Sequence, residues 1–347
     1  MALSRRGRKL VVVGGVVLAV ALAIGVLALG GQGNPVTGLL GAVTRHSSPP
    51  PPTCPLTGRA PKGGTVPARP ALAIKVENLP EARPQTGLDA ADIVYEEPVE
   101  AGITRFIAVF QCTEAARVEP VRSGRLEDPD VLVQFGHPLF GYAGGVGAVI
   151  RKVRAMGLHD VNFEKAAAAY QRDPGRVAPH NLYTSTAALW RYAPRGEGAP
   201  KPVFTYSATR PSGAKGLAVH LPFSPYSDVM WKWSRHKHAY TRWYGTTPAT
   251  LSDGSTIQAT NVVVQVVKVT NTQITDVNGV PSPLAHVVGT GKVYVFRNGK
   301  VIVGKWVRPS VGDVTKLVDR SGATIALAPG NTWVELYPST LHVTVNP

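Results

Sequence analysis

The sequence predicts an α/β (α+β) N-terminal domain followed by a β-rich C-terminal domain, the two preceded by one transmembrane helix. Three observations carry this reading. Residues 10–29 run apolar without a charge. Between residues 70 and 214, short apolar strand patterns mix with helical ones, and from Lys215 to Pro347 strand patterns and turn signals prevail. At 347 residues, with 44% hydrophobic and 17% charged side chains, the chain is large enough for two cores and too apolar for disorder. Its 36 glycines and 30 prolines favour short strands and turns over long helices.

Arg5, Arg6, Arg8 and Lys9 make residues 1–9 a basic tip. The run LVVVGGVVLAVALAIGVLAL (10–29) follows and, at about 1.5 Å per residue, is long enough to cross a bilayer. The positive-inside rule keeps the tip cytoplasmic and exports the rest. Because the run exceeds a secretory-signal core of roughly 7–15 residues, it reads as an uncleaved anchor. Residues 30–69 form a Pro/Gly/Ser-rich linker, and Pro49 to Pro52 give it a stiff spacer. Cys54 and Cys112 match no zinc spacing. In an exported chain they are candidates for one disulfide, and in a reducing compartment for two free thiols.

In the domain at 70–214, ALAIKVEN (71–78), ADIVYEE (91–97) and ITRFIAVFQ (103–111) read as strands, with LFGYA (139–143) a further one. Alternation puts Arg105 on a mostly apolar face with Ile103, Ile107 and Val109, where it needs a carboxylate partner; Glu96 and Glu100 are the candidates. Gly144-Gly145-Val146-Gly147 then leads into the helical AVIRKVRAM. A strand, glycine turn and helix start can cradle an anion, but the run fits neither phosphate-loop pattern and reads as a tight connection. Further helices are predicted at 163–171 and Ser185 to Tyr192, the second capped by Thr184 or Ser185.

In the domain at 215–347, DVMWKW, HAYTRWY, TNVVVQVVKVT, KVYVFR and KVIVGKW read as strands. Asn298-Gly299 joins the last two in a hairpin. Trp231, Trp233, Trp243, Trp306 and Trp333 read as packing residues. On a strand, His236 and His238 would share a face, but their cationic neighbours Arg235, Lys237 and Arg242 argue for a solvated basic strand, so no metal site is expected. No cofactor motif is present.

The net charge of +15 is uneven: residues 45–194 carry 17 basic against 15 acidic side chains, and residues 195–347 carry 16 against 7. Such an excess suits solubility and attraction to an anionic surface or polymer; export argues against nucleic acid. The densest polar stretch runs from Lys75 to Asn181. Its candidate ligand-binding residues are Glu77, Asn78, Arg83, Glu96, Glu100, Arg105, Arg122, Arg125, His180 and Asn181, with Glu97 and Arg172 beside them. Arginines in this number would engage carboxylate or phosphate groups bidentately and would hold neighbouring carboxylates ionised.

ENLPEARPQTGLDAADIVYEEPVEAGITRFIAVF, EPVRSGR and RVAPHNLYT resemble the N-terminal domain of the YerB-like bacterial envelope lipoproteins. TNVVVQVV, GTGKVYVFRNGKVIVGKW and LAPGNTWVELYP resemble that family's C-terminal domain. The resemblance implies an extracytoplasmic, envelope-bound protein of unknown activity. The chain departs from the pattern in offering an apolar run where the family carries a lipidated cysteine, and a compact LEDPDVLVQFGHPLFGYAGG where it carries a long helical insert.

Hydrolase signatures G-x-S-x-G, S-x-x-K and H-E-x-x-H are missing. The favoured function is therefore binding of an anionic cell-envelope ligand or partner without chemistry. Two alternatives compete with it: an envelope hydrolase using Glu96 or Glu100 with His180, and a non-catalytic scaffold for a membrane protein partner.

Overall fold

Apolar runs become strands largely where the sequence places them. The computed structural model describes residues 51–347 except Val277. The basic tip, the predicted anchor at 10–29 and the linker as far as residue 50 lie outside the described residues. Strands β1 (Leu72–Glu77), β2 (Ile93–Pro98) and β3 (Thr104–Phe110) are antiparallel neighbours with β3 in the middle. A short helix α1 (Asp128–Leu132) precedes β4 (Leu139–Gly141), which adds parallel to β1. Helix α2 (Gly147–Ala155) follows the glycine turn, and α3 (Thr186–Trp190) is capped by Ser185, whose Oγ accepts the Ala188 amide at 3.1 Å.

The C-terminal region opens with an antiparallel meander, β5 (Ala218–Ser224), β6 (Ser227–Ser234) and β7 (Ala239–Tyr244), in a second sheet. Next come β8 (Asn261–Val267) and the separate hairpin β9 (Val269–Thr275) and β10 (Pro281–Ala285). β11 (Gly289–Arg297) and β12 (Lys300–Arg308) meet at Asn298-Gly299, whose φ values of 53° and 70° are those a two-residue hairpin turn demands. β13 (Lys316–Val318) and β14 (Thr332–Pro338) follow, and the short strand Thr344–Asn346 returns to pair with β5.

The main sheet runs β13-β12-β11-β8-β14-β2-β3-β1-β4 and ends on the two-residue strand His159–Asp160 beside β4, so strands of both regions share one sheet. The join is β14, which lies parallel to β8 on one side and to β2 on the other. Both regions belong to the compact unit Pro50–Pro347.

Strand alternation divides the N-terminal half of this sheet into two faces. Val76, Val94, Phe106 and Phe110 face the second sheet, where the Trp333 ring sits 5.1 Å from both Phe106 and Trp231. Tyr95, Ile107 and Val109 face the other way, towards Val149 and Val153 of α2. Trp231, Trp306 and Trp333 are buried as expected, whereas Trp233 and Trp243 are half-exposed.

Two local expectations fail. The predicted helix at 163–171 is a single 3₁₀ turn (Ala167–Ala169) followed by a strand, Tyr170–Arg172, paired with Leu182–Thr184. The run is too short to hold a helix without packing, and the hairpin together with the bond from the Tyr170 hydroxyl to the Val161 carbonyl (2.5 Å) takes it instead. His236 and His238 lie in an exposed turn after β6 rather than on a strand, and among the described residues no cluster suited to a metal forms.

Cys54 and Cys112 are joined, tying the first described residues to the end of β3 across 58 positions. Closing a loop of that length stabilises by about 4 kcal/mol in the chain-entropy model. Urea unfolding of the 51–347 fragment with and without reductant should show a loss of that order, and Cys112→Ser should abolish the difference.

Candidate functional site

The polar residues of the N-terminal region divide between the two faces of the sheet. On the face towards the second sheet, the β2–β14 register places Glu96 beside Glu335. Both are fully buried, and Arg242 of β7 reaches between them, with Nη2 2.7 Å from Glu96 and Nη1 3.2 Å from Glu335. The Trp231 indole also donates to Glu335 at 2.7 Å. Burial works against the Arg242 charge, but Glu96, Tyr244 and Glu335 outweigh it and raise its pKa. Burial and the neighbouring Glu96 push the Glu335 carboxyl well above the usual range.

Asn78 and Arg83 belong to this junction. The Asn78 amide donates to Thr104 at 2.8 Å, and its Oδ1 accepts from Tyr244 at 2.6 Å, Gln85 at 3.0 Å and Arg83 at 3.2 Å. The Arg83 guanidinium stacks 3.6 Å from the centre of the Tyr244 ring. Asn78 and Glu96 are thus sealed and spent on structure, contrary to the expectation that they bind a ligand.

The opposite face carries Lys75, Glu77, Glu97 and Arg105. Lys75 is fully buried between Glu97 and Asp128, with Asp128 at 2.7 Å. Glu127 lies in the same cluster with no hydrogen-bond partner on either oxygen among the described residues. Burial, then the neighbouring Asp128, pushes Glu97 up to about 8 despite Lys75. Burial, Glu97 and Asp128 raise Glu127 well above the usual range.

The β1–β3 and β2–β3 registers pair Arg105 with Glu77 and Glu97 across the strands. Beyond Glu77 opens a cleft of about 660 Å³ lined by Glu77, Glu100, Arg105, Arg122 and Arg125. Gly145, Val146 and Val149 at the start of α2 form one wall, and Ile274 to Asp276, Asn278 and Ser282 of the β9–β10 hairpin form another. Arg122 donates to Glu77 at 2.9 Å, and the second Glu77 oxygen meets His180 Nδ1 at 2.8 Å. Arg125 Nε donates to Glu100 at 3.0 Å, and the Ser282 hydroxyl donates to the other Glu100 oxygen. Burial raises the Glu100 pKa, but Arg125 and Ser282 prevail and hold it below the usual value.

Arg105 differs from its neighbours. It is 6% exposed, and its one side-chain hydrogen bond among the described residues runs from Nη1 to the Ser123 carbonyl at 3.2 Å. Its Nε has no acceptor, and no carboxylate lies within ion-pairing distance among the described residues. Burial and the charge of Arg125 bring its pKa down to about 10. The expected partners are committed elsewhere, Glu96 to Arg242 on the far face and Glu100 to Arg125.

The structure therefore gathers Glu77, Glu100, Arg105, Arg122 and Arg125 around one cleft, with His180 attached through Glu77. It does not gather Asn78, Arg83 and Glu96, nor Asn181, whose Oδ1 accepts from Arg172 at 2.8 Å within the 170–184 hairpin. Sequence reasoning missed Arg242, grouped there with surface cations. An arginine between Tyr240 and Tyr244 on one strand face was the available signal. It also missed the β9–β10 hairpin as a cleft wall, since nothing local ties Ser282 to Glu100.

Fold and site together define a strand-rich protein of two sequence regions that share one sheet, with a polar cleft lined from both. The chain belongs to the family described as "Protein of unknown function (DUF3048)": residues 56–198 match its N-terminal domain and residues 219–334 its C-terminal domain. It is similar to "Putative lipoprotein YerB" of Bacillus subtilis (strain 168), at 28% identity over 295 residues that span 82% of this chain and 86% of the relative. The crystal structure of YerB from Bacillus subtilis superposes with a TM-score of 0.72 at 23% identity, covering 85% of this chain and 99% of that one.

The acid cluster gives a pH test. In the fold Glu97 keeps its proton up to about 8, against an ordinary 4.5, so between those values the folded chain binds more protons than the unfolded one. Stability is then greatest at the acid end of this window and falls as pH rises from about 5 to about 8. Asp92, raised to about 6 chiefly by burial, adds the same sign only in the lower part. Urea midpoints of the 51–347 fragment at pH 6.5 and 8.5 should fall with pH, and Glu97→Gln should flatten that fall. An unchanged slope would show that Glu97 is ionised in the fold.

Proposed function

We propose that the protein is held at the membrane by residues 10–29, with its folded unit outside the cytoplasm, and that the cleft at Arg105 binds an anionic component of the cell envelope. The name of the Bacillus relative, "Putative lipoprotein YerB", supports the envelope location. The observation that carries the binding reading is Arg105 itself. A guanidinium so buried, on a cleft wall and without a carboxylate, is costly in the empty protein and is relieved by an incoming anion. The C-terminal excess of basic residues adds long-range attraction.

Binding is favoured over hydrolysis because the groups named for chemistry do not meet. Glu96 is sealed on the far face, Glu100 is fixed by Arg125 and Ser282, and His180 rests on Glu77. Retention of the 51–347 fragment on purified cell wall tests the proposal. The native fragment should be retained at low salt and Arg105→Ala should lose most of that retention. No retention of the native fragment, or equal retention of the variant, would refute it. Release of wall fragments detected by mass spectrometry would restore the hydrolase.

A further inference from the structure

Resting on the reading that the Arg105 cleft binds an anion, we infer that the anion is the C-terminal carboxylate of a short peptide with small aliphatic side chains. The charges on the walls limit what fits. Arg122 and Arg125 are already paired with Glu77 and Glu100, which leaves Arg105 as the one cleft guanidinium without a carboxylate among the described residues. Asp276 also lines the cleft, its Oδ1 accepting the Asn278 and Val280 amides of its own turn, and it disfavours a doubly charged ligand. One free cation facing one fixed acid suits a single negative charge.

A second feature points the same way. Helix α2 starts at the cleft, and its N-cap residue Val146 offers no side-chain acceptor to the first amides. The Val149 amide, the α2 amide on the cleft wall, is already bonded to the Val146 carbonyl at 2.9 Å, so what this end of the helix offers the cleft is its partial positive charge, roughly half a unit. Arg105, buried and with an unpartnered Nε, lines the same cleft, so two independent features converge on an oxyanion there.

The rest of the lining selects a carboxylate over a polyol phosphodiester. Leu79, Ile103, Leu126, Val146, Val149 and Ile274 put apolar surface around the charge. Aliphatic side chains flanking a carboxylate would bury against these residues, whereas the hydroxyls of a glycerol or ribitol phosphate would lose water there without partners. The cleft volume of about 660 Å³ accommodates two or three small residues. A guanidinium beside a helix N-terminus is the kind of positive site that pairs with a carboxylate. Two sources share this chemistry: wall stem peptides that end in D-residues, and protein tails that end in L-residues.

Calorimetric titration of the 51–347 fragment, which forms one compact unit with its own core, tests this. The probes are N-acetyl-lysyl-D-alanyl-D-alanine, its all-L counterpart, the C-terminal amide of each, and glycerophosphoglycerol. At least one peptide acid should bind, its amide should bind at least about tenfold more weakly, and the phosphodiester should bind more weakly than the acid. A preference for the D-peptide assigns a wall stem and a preference for the L-peptide a protein tail; either supports the inference. Equal binding of acid and amide overturns it. Binding of glycerophosphoglycerol but of no peptide overturns it while leaving the anionic cleft standing, and binding of no probe, together with loss of wall retention, removes both.

Two variants complete the test. Arg105→Gln should weaken the peptide acid by about tenfold to a hundredfold. Val146→Asp places a helix-capping carboxylate at the mouth of the cleft, so the protein should melt no lower than native while losing the peptide. If Arg105→Gln fails to fold, Val146→Asp decides alone, and native-like affinity in that variant contradicts the assignment.

Discussion

The structure depends on one buried charge triad, Arg242 with Glu96 and Glu335. Placing β14 between β8 and β2 brings a carboxylate from the last strand of the main sheet beside one from its second. Two buried acids at that spacing cannot both stay ionised without a cation. The cation comes from β7 in the second sheet, so a single side chain connects β2, β14 and the meander. Trp231, Trp333, Phe106 and Tyr244 enclose the guanidinium at 5.0–5.4 Å and exclude water from it.

That triad also sets the chemistry of the cleft on the other face. Side chains alternate along β2, so Glu96, turned towards Arg242, is out of reach of Arg105, while Glu97 is taken by Lys75. Glu100, presented by a turn in which Ala101 adopts φ 58°, belongs to Arg125. Arg105 is the remainder of this pairing. The cost of leaving it uncompensated is the physical reason to look for a ligand there. The family assignment gives the fold and no activity, so the cleft's own charges and apolar walls have to carry the functional reading.

Much of this was legible in the chain. The strands at Leu72–Glu77, Ile93–Pro98 and Thr104–Phe110, the Asn298-Gly299 hairpin and the Ser185 cap are local, and local patterns found them. The charged residues of the cleft were found as well, since Glu77, Glu100, Arg105, Arg122 and Arg125 all fall in the dense polar stretch, whereas Asn78, Arg83, Glu96 and Asn181 from the same stretch are placed elsewhere. What was missed is non-local. No pattern near Glu96 reveals that a strand some 240 positions later will lie against it, and that pairing turned a presumed ligand residue into a structural one. Arg242 was read as a surface cation for the same reason. At 163–171 the alanines favour a helix, but pairing of Tyr170–Arg172 with Leu182–Thr184 overrides them.

The most direct measurement of the central claim is urea unfolding of the 51–347 fragment carrying Arg242→Ala, followed by tryptophan fluorescence and by far-ultraviolet circular dichroism together. Removing the cation strands Glu96 and Glu335 in the core of both sheets. The expected result is a loss of about 3–5 kcal/mol in one transition seen alike by both probes. A loss below about 0.5 kcal/mol, the level of an ordinary surface substitution, or an early step confined to one probe, would show that the triad does not join the two regions.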